Sequence, residues 1–287
     1  YADPDINIVG EDYYLAGTTM HSVPGLVVLH SKDLVNWEFS SYCFDRFDDS
    51  DDFNLRNGKE AYGQGIWAPA IRYHNGKFYI FSNINGHGLQ VYISDSAKGP
   101  WTHHKVNGDI YDLSVLFDED GKIYAVHKYG NVTVTELKPD LSGPVEGSSK
   151  VVIPEGNAMG EGHHVYKING MYYILSADYS PMGRMQCARS KSIWGPYETC
   201  VISERESYGY ATGWSVGNMG IGRPLPEDGF NFQNNKPNGL NLGCATIHQG
   251  GIVQAPDGKW WGVSMQDFNA VGRTVCLSPI TWVDGWP

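Results

Sequence analysis

The sequence predicts an all-β, five-bladed β-propeller. Three observations predict it. One hairpin phrase recurs five times, its joints carry turn residues, and the composition is rich in Gly and aromatics. With 35 Gly, 18 Tyr and 9 Trp in 287 residues, the chain suits short strands, tight turns and aromatic surfaces left over for a ligand.

The five copies of the phrase are DPDINIVGEDYYLA, WAPAIRYHNGKFYIF, DLSVLFDEDGKIYAV, EGHHVYKINGMYYIL and HQGGIVQAPDGKWWGV. In each, alternating apolar residues run into a turn, and an aromatic or apolar pair opens a second strand. The turns read VGED, HNGK, EDGK, INGM and PDGK. Asn-Gly and Asp-Gly favour hairpins because both residues adopt φ > 0. A third strand follows each hairpin. HSKDLVNWEF, ISDSAKGPWT and ARSKSIWGPYET are related closing phrases, and TVTELKPDLSGPVE and VCLSPITWVDGWP are weaker relatives. An antiparallel unit of three or four strands, present five times, is the signature of a propeller. The spacing is uneven because extra length falls in 39–66 and 203–247, both ending just before the first strand of a blade. Loops this long in a compact fold are usually functional. No linker or low-complexity tract interrupts the chain, so 1–287 reads as one domain.

A chain of this length, 41% hydrophobic and 18% charged, needs no disulfide or metal in order to fold. Its net charge of -11 argues against nucleic acid and anionic membrane as partners, because no basic stripe exists to neutralise phosphates. The acidic run DRFDDSDD at 45–52 reads as a solvated loop and lacks the Gly and terminal Glu of an EF-hand. Five scattered cysteines without C-x-x-C point to reduced thiols rather than a disulfide framework or zinc site. No stretch approaches 18 apolar residues, so no membrane span is expected. The chain opens on Tyr rather than Met, and secreted and cytoplasmic locations both stay open.

The repeat also places chemistry. Counting back from the second residue of each aromatic pair, Asp3 lies 11 residues before Tyr14. Trp67, Asp112 and Glu161 each lie 12 before Tyr79, Tyr124 and Tyr173, and His248 lies 13 before Trp261. One residue of turn length absorbs the differences. The first strand of each propeller blade lines the central channel, so these five residues are expected to face one cavity. Each alone has an ordinary reading: a turn cap at Asp3 or Asp112, a surface turn at Glu161, a core Trp67, a hydrogen-bonded core His248. Jointly, five polar or aromatic residues in phase with a repeat are hard to explain that way. Carboxylates are rare at such positions unless paired or functional. Three of them suit glycoside hydrolysis by inversion. One carboxylate activates a water, one carboxylic acid protonates the leaving oxygen, and the two stand about 6.5–9.5 Å apart. A third carboxylate raises the pKa of the acid by repulsion.

These residues sit in longer motifs: ADPDI at 2–6, TTMHSVPGLVVLHSKDLVNWE at 18–38, GIWAPAIRYHNGKFYIF at 65–81, YDLSVLFDEDGK at 111–122, GEGHHVYKINGMYYIL at 160–175 and IHQGGIVQAPDGKWW at 247–261. Together they resemble glycoside hydrolase family 43, the five-bladed propellers that include β-xylosidases, α-L-arabinofuranosidases and arabinanases. The resemblance covers essentially the whole chain. It implies Asp3 as general base, Asp112 as pKa modulator and orienter, and Glu161 as general acid. Asp5, standing where small residues are common, is the alternative base. Trp67 resembles a sugar-stacking residue, and Arg273 an arginine that reaches the substrate from the last blade, with an exposed strand arginine as the alternative. Met20, in MHSVPG where many xylosidase-like members carry an aromatic, and His87 complete the substrate-binding candidates. His248 matches a family histidine that helps hold a central calcium or other ion through water, and no organic cofactor is implied. ITWVDGWP resembles a junction that leads, in many relatives, into a C-terminal β-sandwich. The N-D-P-N-G, R-D-P and E-C motifs of the retaining sucrose- and fructan-cleaving propellers are absent.

The implied activity is exo-acting release of a terminal pentose, α-L-arabinofuranose or β-D-xylose, from an oligosaccharide or polysaccharide such as arabinoxylan. Segments 39–66 and 203–247 are expected to wall the cavity into a pocket. The alternatives are an endo-arabinanase and a non-catalytic carbohydrate-binding propeller.

Overall fold

The computed structural model describes residues 1–48, 50–157, 159–179, 182–203, 248–267 and 273–287. Among the described residues nineteen strands form five antiparallel sheets, each built from consecutive strands. The first holds β1 (Asp5–Val9), β2 (Asp12–Gly17), β3 (Gly25–Ser31) and β4 (Trp37–Phe44); the second holds β5 (Ala70–His74), β6 (Lys77–Ile84), β7 (Gly88–Ser94) and β8 (Thr102–Lys105). The third holds β9 (Ser114–Phe117), β10 (Ile123–His127), β11 (Val132–Leu137) and β12 (Lys150–Ile153). The fourth holds β13 (Glu161–Ile168), β14 (Met171–Tyr179), β15 (Met182–Ser190) and β16 (Glu198–Ser203), and the fifth β17 (His248–Gln254), β18 (Trp260–Asp267) and β19 (Arg273–Ile280). This is the expected five-bladed propeller. Among the described residues no helix is long and apolar enough to cross a membrane.

The turn chemistry explains the hairpins. Asn75-Gly76 and Asn169-Gly170 both carry positive φ and close two-residue turns between His74 and Lys77 and between Ile168 and Met171, as type I′ geometry requires. The EDGK and PDGK copies are one residue longer. There Asp118 N–H bonds to Lys122 O and Ala255 N–H to Lys259 O, enclosing three residues.

Five apolar clusters fill the five blade interfaces. Val28 and Leu26 meet Ile71 and Ile80 between the first two blades; Phe81 and Val91 meet Val115 and Ala125; Val126 and Val134 meet Val165 and Ile174. Leu175 and Cys187 meet Ile252. The ring closes where Ile6, Tyr13 and Leu15 of the first blade pack on Val253 and Val263 of the fifth. Among the described residues no sheet shares strands from both chain ends, and side-chain packing joins the first blade to the fifth. Burial of both sheet faces, as in β10, where all five residues are buried, follows from this sandwiching of sheet against sheet.

Two expectations change. Residues 39–44 of the first long segment are strand β4, and the acidic run beyond it is not simply solvated: Ser50 and Phe53 are buried, and Asp52 bonds His87. The segment 204–247, expected as the second wall, lies outside the described residues. Cys43, Cys187 and Cys200 are free thiols, and Cys244 lies outside the described residues.

Candidate active site

The strand register resolves the repeat into two rings. Asn7, Arg72, Leu116, Tyr166 and Val253 are the inner-strand partners of Tyr14, Tyr79, Tyr124, Tyr173 and Trp261. Four residues before them stand Asp3, Ala68, Asp112, Gly162 and Gln249. All five hold positive φ, at 49°, 32°, 53°, 66° and 43°. Five residues before them stand Ala2, Trp67, Tyr111, Glu161 and His248. Counting from the aromatic pairs merged these rings: the longer turn of the third blade brings Asp112 to the same separation as Trp67 and Glu161, and one residue of tolerance admitted Asp3 and His248. Left-handed backbone at a non-Gly residue costs about 1–3 kcal/mol and clusters at functional sites; here it recurs at the mouth of four blades, with a glycine at the same place in the other.

Asp3, Trp67, Tyr111, Asp112, Glu161, Gln249 and Arg273 line one central cavity of about 730 Å³. Asp3 is buried, and both its oxygens accept hydrogen bonds. Thr18 Oγ1 donates to Oδ2 at 2.7 Å and Arg273 Nη1 to Oδ1 at 2.8 Å. This is the bonding pattern of an ionised carboxylate. Thr18 also accepts from Ala68 N–H at 2.9 Å, which ties the first two blades together beside Asp3.

Asp112 is held by Gly162 N–H to Oδ2 at 2.7 Å and by Gln249 Nε2 toward Oδ1 at 3.4 Å. Glycine is required at 162: a Cβ there would lie 2.4 Å from Gln249 Cγ, and φ is +66°. Desolvation first, and repulsion from Glu161 and Asp3 next, push Asp112 up to about 8. Like-charge repulsion among the three carboxylates thus acts on Asp112. A carboxyl whose folded pKa exceeds the ordinary 3.8 contributes stability that is present below 3.8 and lost as pH rises to about 8. Asp112→Asn is therefore expected to unfold at a higher temperature than the parent at pH 8, with a shallower decline from pH 5 to 8. Thermal scans across that range check this, and parallel declines would refute it.

Glu161 opens β13, and its Oε2 accepts from the Tyr111 hydroxyl at 2.7 Å. Trp67 lines the cavity with its Nε1 buried and unpartnered among the described residues. Met20 lines it too, at φ 56°, anchored by backbone bonds in both directions with Ile66. Arg273 is 37% exposed at its side chain and turns that side chain onto Asp3 rather than only outward from its strand.

His87 does not line this cavity. It sits in the β6–β7 turn, where Nε2 lies 3.1 Å from both oxygens of Asp52 and the ring meets Phe47 edge-on. It anchors the acidic segment instead. Asp5 is also away from the cavity. Asp3 precedes the strand in left-handed backbone, so the two side chains do not share a face as an extended strand would give. Asp5 is fully buried against Arg72 and His164. Burial alone would raise its pKa, but the Arg72 and His164 charges and the Ile71 N–H bring it down to about 2.

His248 begins β17, and its side chain lies outside the described residues. Among the described residues no group of three or more His, Cys, Asp or Glu side chains is arranged to hold a metal. The charge beside the buried Asp5 is the Arg72 guanidinium. The candidate ligand for a calcium ion thus falls outside the described side chains, and no step below uses an ion.

Thr18, Tyr111 and Gln249 were not legible as site residues. Tyr111 and Gln249 adjoin residues that the repeat count selected, so register alone would have found them. Thr18 lies past the end of β2 in a phrase with no repeat counterpart.

The family model described as Glycosyl hydrolases family 43 matches residues 1–210. A non-reducing end α-L-arabinofuranosidase of Bacteroides ovatus is 34% identical, over 99% of this chain and 51% of its own length. A β-xylosidase of Formosa agariphila is 30% identical, over 100% of this chain and 48% of its own. Among solved structures, a bifunctional GH43-CE protein of Bacteroides eggerthii superposes with a TM-score of 0.81 at 33% identity, covering 100% of this chain and 34% of that one. The chain spans about half the length of the curated relatives it matches. With the five-bladed fold and matches of this extent, the chain belongs to glycosyl hydrolase family 43.

Proposed function

We propose that the chain is the catalytic propeller of an inverting, exo-acting glycoside hydrolase. It releases terminal α-L-arabinofuranose, with β-D-xylose as a second substrate, from hemicellulose such as arabinoxylan or xylo-oligosaccharides. The observation that carries this reading is the meeting of Asp3, Asp112 and Glu161 from three blades in one cavity. The names of the relatives, an arabinofuranosidase and a β-xylosidase, support the choice of sugars.

In this reading Asp3 takes a proton from a water that attacks the anomeric carbon. Thr18 and Arg273 fix its carboxylate while leaving lone pairs for the water. Glu161 protonates the glycosidic oxygen, which leaves with the electron pair of the broken C–O bond. Asp112 orients the pair through Gly162 and Gln249, and below about pH 8 its own proton removes one negative charge from the cavity. Trp67 offers an apolar ring to the C–H face of the sugar. Tyr42, from the first long segment, also lines the cavity, and Tyr62 of that segment packs on His21 at its wall, which supports a pocket for a chain end over an open groove.

The test is hydrolysis of aryl α-L-arabinofuranoside and aryl β-D-xyloside, with Glu161→Ala beside the parent and the first-formed anomer read by NMR. Activity that collapses in Glu161→Ala, with an anomer inverted from that of the substrate, is expected. Binding of arabinoxylan fragments without turnover would identify a binding propeller instead, and a retained anomer would exclude the water-and-base mechanism.

A further inference from the structure

We infer that Tyr111 is the positioning residue of the proposed acid: its phenol holds Glu161 Oε2 and leaves Oε1 as the oxygen that delivers the proton. This rests on the reading of Glu161 as general acid. The hydroxyl donates to Oε2 at 2.7 Å. Tyr111 and Glu161 occupy the same ring position on the third and fourth blades, one residue before Asp112 and Gly162. The two dipeptides are therefore doubly joined, by phenol to carboxylate and by Gly162 N–H to the Asp112 carboxyl.

The phenol is itself held in place. Lys128 N–H bonds to the Tyr111 carbonyl at 3.1 Å, and His163 Nε2 meets the Lys128 carbonyl at 2.6 Å. His163 lies two residues beyond Glu161 on β13, so the contacts run in a closed circuit from Glu161 through Tyr111, Lys128 and His163 back to β13. His163 Nδ1 lies 2.5 Å from Ser176 Oγ. Burial holds this imidazole down to about 4. It stays neutral at ordinary assay pH, with its proton on the nitrogen that faces the Lys128 carbonyl. Burial first, and then the Glu161 charge, hold the Tyr111 phenol far above its ordinary range, so it remains a donor across the working range of a glycosidase.

A carboxylic acid has two oxygens, and only one can point its proton at the leaving group. With Tyr111 donating to Oε2, Oε1–H gives its proton to the glycosidic oxygen as the C–O bond breaks. Glu161 is left as a carboxylate whose Oε2 already accepts a hydrogen bond. The proton that Asp3 takes from water balances the step, and the phenol keeps its own proton throughout.

The experiment compares Tyr111→Phe with the parent on two arabinofuranosides or xylosides, one with a poor leaving group (phenyl) and one with an activated one (2,4-dinitrophenyl). Protonation of the leaving oxygen matters for the first and little for the second. A fall in kcat of about 10- to 100-fold is expected on the phenyl glycoside, with a loss at least ten times smaller on the dinitrophenyl one and KM little changed. Removing a donor to the charged carboxylate also moves the alkaline limb of the rate profile to higher pH. Equal losses on both leaving groups, or no loss on the phenyl glycoside, would overturn the inference. Tyr111→Phe removes one oxygen from a residue 36% exposed, so its unfolding temperature is expected to match the parent. A parent that hydrolyses neither glycoside overturns the functional reading instead.

Discussion

Asp3→Asn is expected to lower turnover of an aryl α-L-arabinofuranoside or β-D-xyloside by about 10²- to 10⁴-fold, the range for removing a positioned general base. The fold should tolerate the change. The amide oxygen can accept from Arg273, and its NH₂ can face Thr18, whose hydroxyl rotates to accept. Asn offers no site for the proton of the attacking water, so the loss falls on kcat and does not depend on the leaving group. That separates it from Tyr111→Phe. Asp5→Asn is the paired control. Asp5 is absent from the cavity lining and bound to Arg72 and His164, so its replacement is expected to lower the unfolding temperature first. Near-normal turnover in Asp3→Asn, or a selective collapse of kcat in a stably folded Asp5→Asn, would move the base to Asp5.

The five blades were legible because their signal is local. An alternating run, an Asn-Gly or Asp-Gly turn and an aromatic pair specify a hairpin within about fifteen residues, and five such hairpins specify the ring. Asp3, Asp112 and Glu161 were legible because the repeat carried them. What the count missed was the split into two rings, since turn length and distance from the strand start compensate in the sequence and only the register separates them. His87 was misplaced for the opposite reason: it belongs to an outer turn with no phase relation to the inner strands, and its partner Asp52 lies in the segment read as solvated. The residues that join blades, Thr18, Gln249 and Arg72, act over long separations. Arg72 reaches back to Asp5 and on to Ser114, and no window of the sequence contains all three.

That last group carries the largest expected effect on stability. Arg72 Nη1 bonds Asp5 on β1, while Nη2 and Nε bond Ser114 Oγ and Val115 O on β9. His164 of β13 bonds Asp5 at 3.0 Å, and Val165 N–H of the same strand bonds Ser114 Oγ. Tyr166 Oη accepts from Ile252 N–H on β17 at 2.9 Å, and a Cβ at Gly251 would lie 2.6 Å from that hydroxyl. Four inner strands thus share one buried hydrogen-bonded network, and the Tyr166–Ile252 bond ties the fifth to β13 beside it, in a ring that no shared strand closes among the described residues. Arg72→Met removes the cation and leaves Asp5, 1% exposed, with His164 as its remaining charge partner. Breaking a buried pair from one side costs about 3–5 kcal/mol, so urea unfolding should show a loss of that order. Arg72→Met with Asp5→Leu should lose less than the sum of the single changes, because neither charge is then stranded. Asp5 is held at about 2 against an ordinary 3.8, so its contribution is present above 3.8 and lost as pH falls through about 2. The parent's advantage over Arg72→Met should shrink across that acid window and stay level from pH 5 to 7. A loss under about 1 kcal/mol, or full additivity of the two changes, would mean that apolar packing between the first and fifth blades closes the ring without the network.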